Sequence, residues 1–177
     1  MLVPRYHQVF DLTLDEIFNI CLLKNKIWQH TMESQLSWWK KNTSDSDHFI
    51  TLVDGPSTVA FLRLRDREIL VENSSYHAKC VTEVCVEKSM QRKGLGSILL
   101  KAAKNKIDES DSGIGFLICL STEELFYKAS GWSSLQAEIQ LKSSGGIKRS
   151  LKNNEKCMVL NFEAPESANI VLCGDIF

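Results

Sequence analysis

The chain has 177 residues, enough for one domain with a sizeable core. Hydrophobic residues make up 44% and charged residues 24%, the balance of an ordinary globular chain in water. A net charge of −1 argues against a general nucleic-acid binder, and no apolar run approaches the ~18 residues of a membrane span. The N-terminus lacks a charged-then-apolar leader pattern, so a cytoplasmic location is expected, with no membrane partner.

In chain order, Leu2-Val3-Pro4 and Val9-Phe10 are weak strand signals. Asp11 or Thr13 caps a first helix, with Leu14, Ile17, Ile20 and Cys21 at helical spacing. Glu16, three residues after Thr13, fits a capping box. A second helical stretch over about 27–40 carries Trp28, Met32, Leu36 and Trp39. The polar run 42–47 reads as a turn and 48–53 as a strand. Asp54-Gly55 is a hairpin signal, with 58–64 as the returning strand. A longer strand is expected over 76–86, a helix over 97–107 and a buried strand over 114–120. Ser121 or Thr122 starts a helix that Gly131 closes. Strands follow at 137–141 and 157–162, separated by loop signals at Gly145-Gly146 and Asn153-Asn154. In the ambiguous tail 163–177, the apolar run 170–173 is either an added edge strand or a docking segment. No repeat or linker divides the chain, so a single domain over 1–177 is expected.

The six cysteines include no Cys-x-x-Cys pair and mostly sit in apolar runs, which predicts free core thiols. His7, His30, His48 and His77 lack metal-ligand spacing. No metal is expected.

Gln91-Arg92-Lys93-Gly94-Leu95-Gly96 stands between the apolar run 81–86 and the helical run from Ser97. A glycine-rich loop there aims backbone N–H groups and the positive end of a helix dipole at one point. Two glycines let backbone approach a phosphate closely, and Arg92 and Lys93 add charge. The P-loop spacing is absent, and only two of the three glycines of a dinucleotide loop are present.

Gln91-x-x-Gly94-x-Gly96 after a strand resembles the pyrophosphate-binding motif of the GNAT superfamily, the acetyl-CoA-dependent N-acetyltransferases. A second segment, Phe126-Tyr127 followed by Gly131-Trp132, resembles that family's later motif. The two matches and the elements between them cover about 81–135. The resemblance implies an α/β (α+β) GNAT fold, a mixed sheet of about six to seven strands flanked by about four helices. It also implies acetyl-CoA as co-substrate and a small-molecule or protein amine as acceptor, in a monomer or homodimer.

By the same resemblance, backbone around Val84, Cys85 and Val86 meets the pantetheine arm and thioester. The N–H groups of Gln91, Arg92, Lys93, Gly94, Leu95, Gly96 and Ser97 hold the pyrophosphate. Tyr127 is the candidate general acid for the leaving thiolate, since a phenol stays protonated at neutral pH. Its alternative role is a packed aromatic, and Trp132 packs. Glu83 is the candidate general base, with Glu87 the runner-up.

Period-2 alternation puts Glu83, Cys85 and Glu87 on one face, looking toward a cleft or toward solvent. Cys85 between them raises a covalent acyl-enzyme alternative, without an evident partner base. Lys88 stands where the family commonly has proline, and Arg92 where it often has glycine. Trp28, Trp38 and Trp39 are either core or acceptor-pocket lining, while Glu33, Asp45 and Asp47 offer charge to a cationic acceptor. The class-level alternative is a GNAT-fold protein that binds acyl-CoA without turnover.

Overall fold

The computed structural model describes residues 2–72, 74–146 and 148–174. The last three residues of the tail considered above lie outside them. The chain forms two compact units: residues 1–65 with 83–103, and residues 66–82 with 104–177.

In the first unit, β1 (Arg5–Gln8) pairs antiparallel with β2 (His48–Asp54), which pairs antiparallel with the start of β3 (Ser57–Val71). Gly55, at φ 57, makes the tight turn between β2 and β3. Helix α1 (Leu14–Trp28) starts at Thr13, whose hydroxyl accepts from the Glu16 N–H while the Glu16 carboxylate accepts from the Thr13 N–H. This is the expected capping box, and it satisfies two donors that a helix start leaves orphaned. Helix α2 (Met32–Asn42) begins anew at Thr31, whose hydroxyl accepts from the Ser34 N–H.

The break between the helices corrects the expected second stretch: residues 27 and 28 finish α1. Left-handed Gln29 (φ 50) ends α1, and its N–H returns to the Asn25 carbonyl. The core of this unit joins Ile20, Cys21 and Leu23 of α1 to Trp39, Phe49, Phe61 and Cys85. Trp39 stacks on Phe49 at 4.7 Å between centroids. Leu14, counted above with the apolar face of α1, is 84% exposed. The first residues of a helix overhang its packed turns, so periodicity alone does not bury them.

The strand order of the sheet is β6-β9-β5-β4-β3-β10-β7-β8, with β2 also paired to β3 and β1 to β2. Here β4 is Ser74–Val86, β5 Gly115–Leu120, β6 Ser133–Ser134, β7 Glu138–Lys142, β8 Lys148–Ser150, β9 Glu155–Leu160 and β10 Asn169–Cys173. The sheet is mixed: β4 pairs parallel with β5 and β10 parallel with β7, whereas β5–β9 and β10–β3 are antiparallel. The β4–β5 register covers Lys79 and Cys80 and stops there. Helices α3 (Leu95–Asp108) and α4 (Glu124–Lys128) bring the α-helices among the described residues to four. The core of the second unit joins Ile69, Cys80, Phe116, Ile139, Leu141, Cys157, Val159, Ile170 and Leu172.

The mixed sheet with four helices is the expected class. Three expectations need correction. The sheet has ten strands among the described residues rather than six or seven. The added ones, such as β6 and β8, are two or three residues long and too short to show a period. The segment 170–173 is neither an edge strand nor a docking segment. As β10 it lies inside the sheet, between β3 and β7. Strand β3 also runs to Val71, well past 64, because β10 supplies ladder partners for Glu68 to Val71.

Candidate functional site

The loop after β4 is built by local bonds. The Glu87 N–H donates to the Val59 carbonyl at 2.8 Å, the Met90 N–H to the Glu87 carbonyl at 2.8 Å, and Gln91 Nε2 to the Val86 carbonyl at 3.2 Å. Residues 88–90 make one 3₁₀ turn starting at Lys88, where the family commonly has proline. Gln91, Arg92, Lys93 and Gly94 are exposed. Arg92 has φ 60 and Gly94 φ 81. Both are left-handed, and such a pair of turns points successive N–H groups to one side.

Arg92 therefore adopts, at some strain, a conformation that glycine takes freely. This is a physical reason for the glycine common at that position. Leu95 to Ser97 form the first turn of α3, where helix geometry leaves N–H groups without intrahelical acceptors. The Ile98 N–H donates to the Gly94 carbonyl at 3.0 Å. No heavy atom lies within 4 Å of the place a Cβ on Gly94 would take, so this edge of the loop is open. Open amides, a helix N-terminus and two exposed cations suit a pyrophosphate.

Val84 and Val86 are half-buried, and Cys85 is 1% exposed with its side chain in the core of the first unit. Any contact Cys85 makes with a ligand is through its backbone. Burial, then the charge of Glu83, push its thiol well up, and Lys24 offsets this only in part. A thiol held protonated is a poor nucleophile, which counts against the covalent alternative.

Glu83, Cys85 and Glu87 do share one face, but it looks at α1 rather than at solvent. Lys24 of α1 donates to Glu83 Oε1 at 2.5 Å, and Lys26 to Glu87 at 2.7 Å. Glu83 Oε2 lies 3.7 Å from Arg63 Nη1 and has no hydrogen-bond partner among the described residues. Glu83 is also left-handed, at φ 54, in mid-strand. A left-handed residue bends a strand and re-aims the groups that follow it.

The pair belongs to a larger buried cluster. Arg63 donates to Asp47 and to the Asn42 carbonyl at the end of α2, and Arg65 Nε lies 3.4 Å from Asp47 Oδ1. Lys24 Nζ sits 3.9 Å from the centre of the Trp38 ring. This corrects the view of Asp47 as a surface charge for an acceptor: it is fully buried and paired, whereas Asp45 and Glu33 are exposed. The three tryptophans separate: Trp39 is core, Trp38 carries Lys24, and Trp28 is 40% exposed.

Sequence reasoning missed Lys24, Arg63 and Arg65. The signal was available: Lys24 shares the buried stretch of α1 with Ile20, Cys21 and Leu23, and both arginines sit inside the apolar run of β3. A charge at a core position needs a partner, and each one points to a buried network.

Tyr127 belongs to the second unit, on α4, and is 7% exposed. Its ring meets Phe126 edge-on at 5.0 Å. Its carbonyl accepts from the Ser130 and Trp132 N–H groups, closing the turn through left-handed Gly131. Trp132 packs, as expected, at 2% exposure. It lies against Gly115, where an added Cβ would be 3.3 Å from Trp132 and 2.8 Å from Ile107. All six cysteines are free thiols. Among the described residues, no three metal-ligating side chains converge, and no helix is long and apolar enough to cross a membrane.

No functionally curated protein matches the chain. Solved structures share its fold at low identity. An acyl-CoA N-acyltransferase from Pseudomonas aeruginosa is 15% identical, with a TM-score of 0.63 over 90% of this chain and 99% of the other. Escherichia coli ElaA is 12% identical, with a TM-score of 0.64 over 90% and 99%. The PaiA N-acetyltransferase of Thermoplasma acidophilum, solved in complex with coenzyme A, is 12% identical, with a TM-score of 0.58 over 90% and 99%. The family described as the acetyltransferase (GNAT) domain matches residues 9–135, a span that holds the glycine loop, the bent strand β4 and Tyr127. The chain belongs to the GNAT acetyltransferase family.

Proposed function

We propose that the protein is an N-acetyltransferase that moves an acetyl group from acetyl-CoA to a primary amine by direct attack in a ternary complex. The observation that carries this reading is the exposed, left-handed loop of Arg92 and Gly94 at the start of α3, following a strand bent at Glu83. Its amides suit the pyrophosphate of an acyl-CoA, and the family and the coenzyme A complex of a structural relative support that ligand. A cytoplasmic location goes with this reading.

In the proposed reaction the amine nitrogen attacks the thioester carbonyl, a C–N bond forms and the C–S bond breaks. The N–H groups of Val84 to Val86 steady the carbonyl and the pantetheine arm. Glu83 takes the amine proton, directly or through a water, at Oε2, the buried carboxylate oxygen that accepts no hydrogen bond among the described residues. Tyr127 gives its proton to the departing thiolate. Holding both reactants together supplies much of the rate.

The second reading, an acyl-CoA binder without turnover, draws on the cations that flank Glu83, because a carboxylate engaged by Lys24 at 2.5 Å and facing Arg63 at 3.7 Å serves as a structural ion pair.

Calorimetric titration with acetyl-CoA, followed by thiol release across a polyamine, an aminoglycoside, a peptide N-terminus and an aromatic ethylamine, separates the two. Binding with release for one amine class supports the transferase. Binding without release from any amine supports the binder, and no binding at millimolar acetyl-CoA defeats both. For an active protein, Tyr127→Phe should slow turnover by about 10²-fold or more. Unchanged turnover at every pH would remove Tyr127 from the acid role.

A further inference from the structure

We propose that Lys24 is a positioning residue for the acyl donor. Its ion pair with Glu83 fixes the bend of β4 that aims the Val84–Val86 backbone at the pantetheine arm and thioester. The inference rests on the acyl-CoA reading above.

A left-handed backbone is disfavoured for any residue with a side chain, and glycine would make the same bend at less cost. At Glu83 the side chain compensates. Its Oε1 accepts from Lys24 at 2.5 Å and its Oε2 faces Arg63 at 3.7 Å, with 10% of the side chain exposed. Neither cation is free to follow Glu83 into another conformation. Lys24 is 4% exposed and lies over the Trp38 ring. Arg63 is held by Asp47 and by the Asn42 carbonyl. The carboxylate is thus tied to α1 and β3, and through Arg63 to the end of α2. A strained backbone persists when its surroundings over-determine it, and these three attachments do so.

The bend and the phosphate loop are built by different bonds. The loop hangs on the Glu87–Val59, Met90–Glu87 and Gln91–Val86 hydrogen bonds, none of which includes Glu83 or Lys24. Losing Lys24 should therefore disturb the part of the site that meets the acyl-pantetheine arm and spare the part that meets the diphosphate.

The test measures the affinity of purified wild type, Lys24→Met and Lys24→Arg for acetyl-CoA and for its fragment 3′-phospho-ADP. We expect Lys24→Met to weaken acetyl-CoA binding about tenfold, as loss of an orienting partner commonly does. Binding of 3′-phospho-ADP should stay within about twofold, and Lys24→Arg, which keeps the charge, should recover most of the acetyl-CoA affinity. A purely structural role would lower both affinities together.

Wild-type acetyl-CoA affinity in Lys24→Met, or equal loss for both ligands, overturns the inference. A wild-type protein that binds neither ligand overturns the acyl-CoA reading itself. If Lys24→Met does not fold, the Lys24→Met/Glu83→Gln variant removes both charges of the pair and should show the same selective loss. Wild-type affinity in that variant overturns the inference too.

Discussion

Asp47 and Arg63 form an ion pair sealed from water, with side chains 0% and 1% exposed. Asp47 also accepts from the Ser44 N–H at 2.7 Å and lies 3.4 Å from Arg65. Removing one member leaves the other charged in a place water does not reach. Arg63→Met or Asp47→Ala should cost about 3–5 kcal/mol in chemical denaturation, as breaking one side of a buried pair does. The double variant Asp47→Leu/Arg63→Met should cost less than the sum of the single changes. Additive losses would show that the two residues contribute separately.

Gly94 should be intolerant of charge and indifferent to bulk as far as folding is concerned. Nothing lies within 4 Å of an added Cβ, but the residue is left-handed. Gly94→Glu should therefore lower stability by about 1 kcal/mol through backbone strain alone. Acetyl-CoA affinity should fall far more, since a carboxylate would stand where the diphosphate rests. Retained affinity, read by calorimetry on the folded variant, would move the phosphate site elsewhere. In the opposite sense, Arg92→Gly should relieve strain at φ 60 and raise stability if the glycine does not loosen the unfolded chain by as much.

Glu155 gives the protein an acid-sensitive contact. Burial pulls its carboxyl up, but Arg149 through two hydrogen bonds, the Lys152 N–H and the charges of Arg149 and Lys152 bring it below its ordinary value of 4.5. A folded-state value below the unfolded one means that the ionised form is favoured by folding. The contribution is complete above pH 4.5 and is lost as the pH falls below it. Wild type should lose more stability than Glu155→Gln between about pH 5 and about pH 3 in urea titrations. Parallel acid limbs would discount the Glu155 contacts.

The thiols should be slow to react while the protein is folded. Burial, then Glu123 and Glu124, push Cys119 up to about 11, and burial also raises Cys21 and Cys173. Since the thiolate is the reactive form, Cys119 should present about one reactive thiol in a thousand at about pH 8. Half-buried Cys173 should react first with a disulfide reagent, and denaturant should release all six. Rapid labelling of Cys85 in the folded protein would reopen the covalent route.

The features legible in the sequence were those written in neighbouring residues. Thr13 and Glu16 cap α1 because their groups meet within one turn, and Asp54-Gly55 turns β2 into β3. Gln91 to Gly96 makes its loop from its own backbone, so spacing alone located it. The α1–α2 break was placed too early because Trp28, Met32, Leu36 and Trp39 continue at helical spacing across Gln29, while the stop is a left-handed conformation that carries no apolar signal.

The sequence by itself therefore determined the element types, the glycine loop and the family to which the chain belongs. Only the tertiary structure decided the surroundings of Glu83. Lys24 and Glu83 are 59 residues apart, and alternation along β4 could say which residues share a face but not what that face meets. The same holds for residues 170–173. Their apolar pattern fits any strand, and their place between β3 and β7 follows from ladder partners far away in the chain. Local patterns reflect bonds a residue makes with its neighbours. Ion pairs and strand order depend on which distant partners the packed chain brings into reach, and a buried charge accepts only a partner that compensates for the water it has lost.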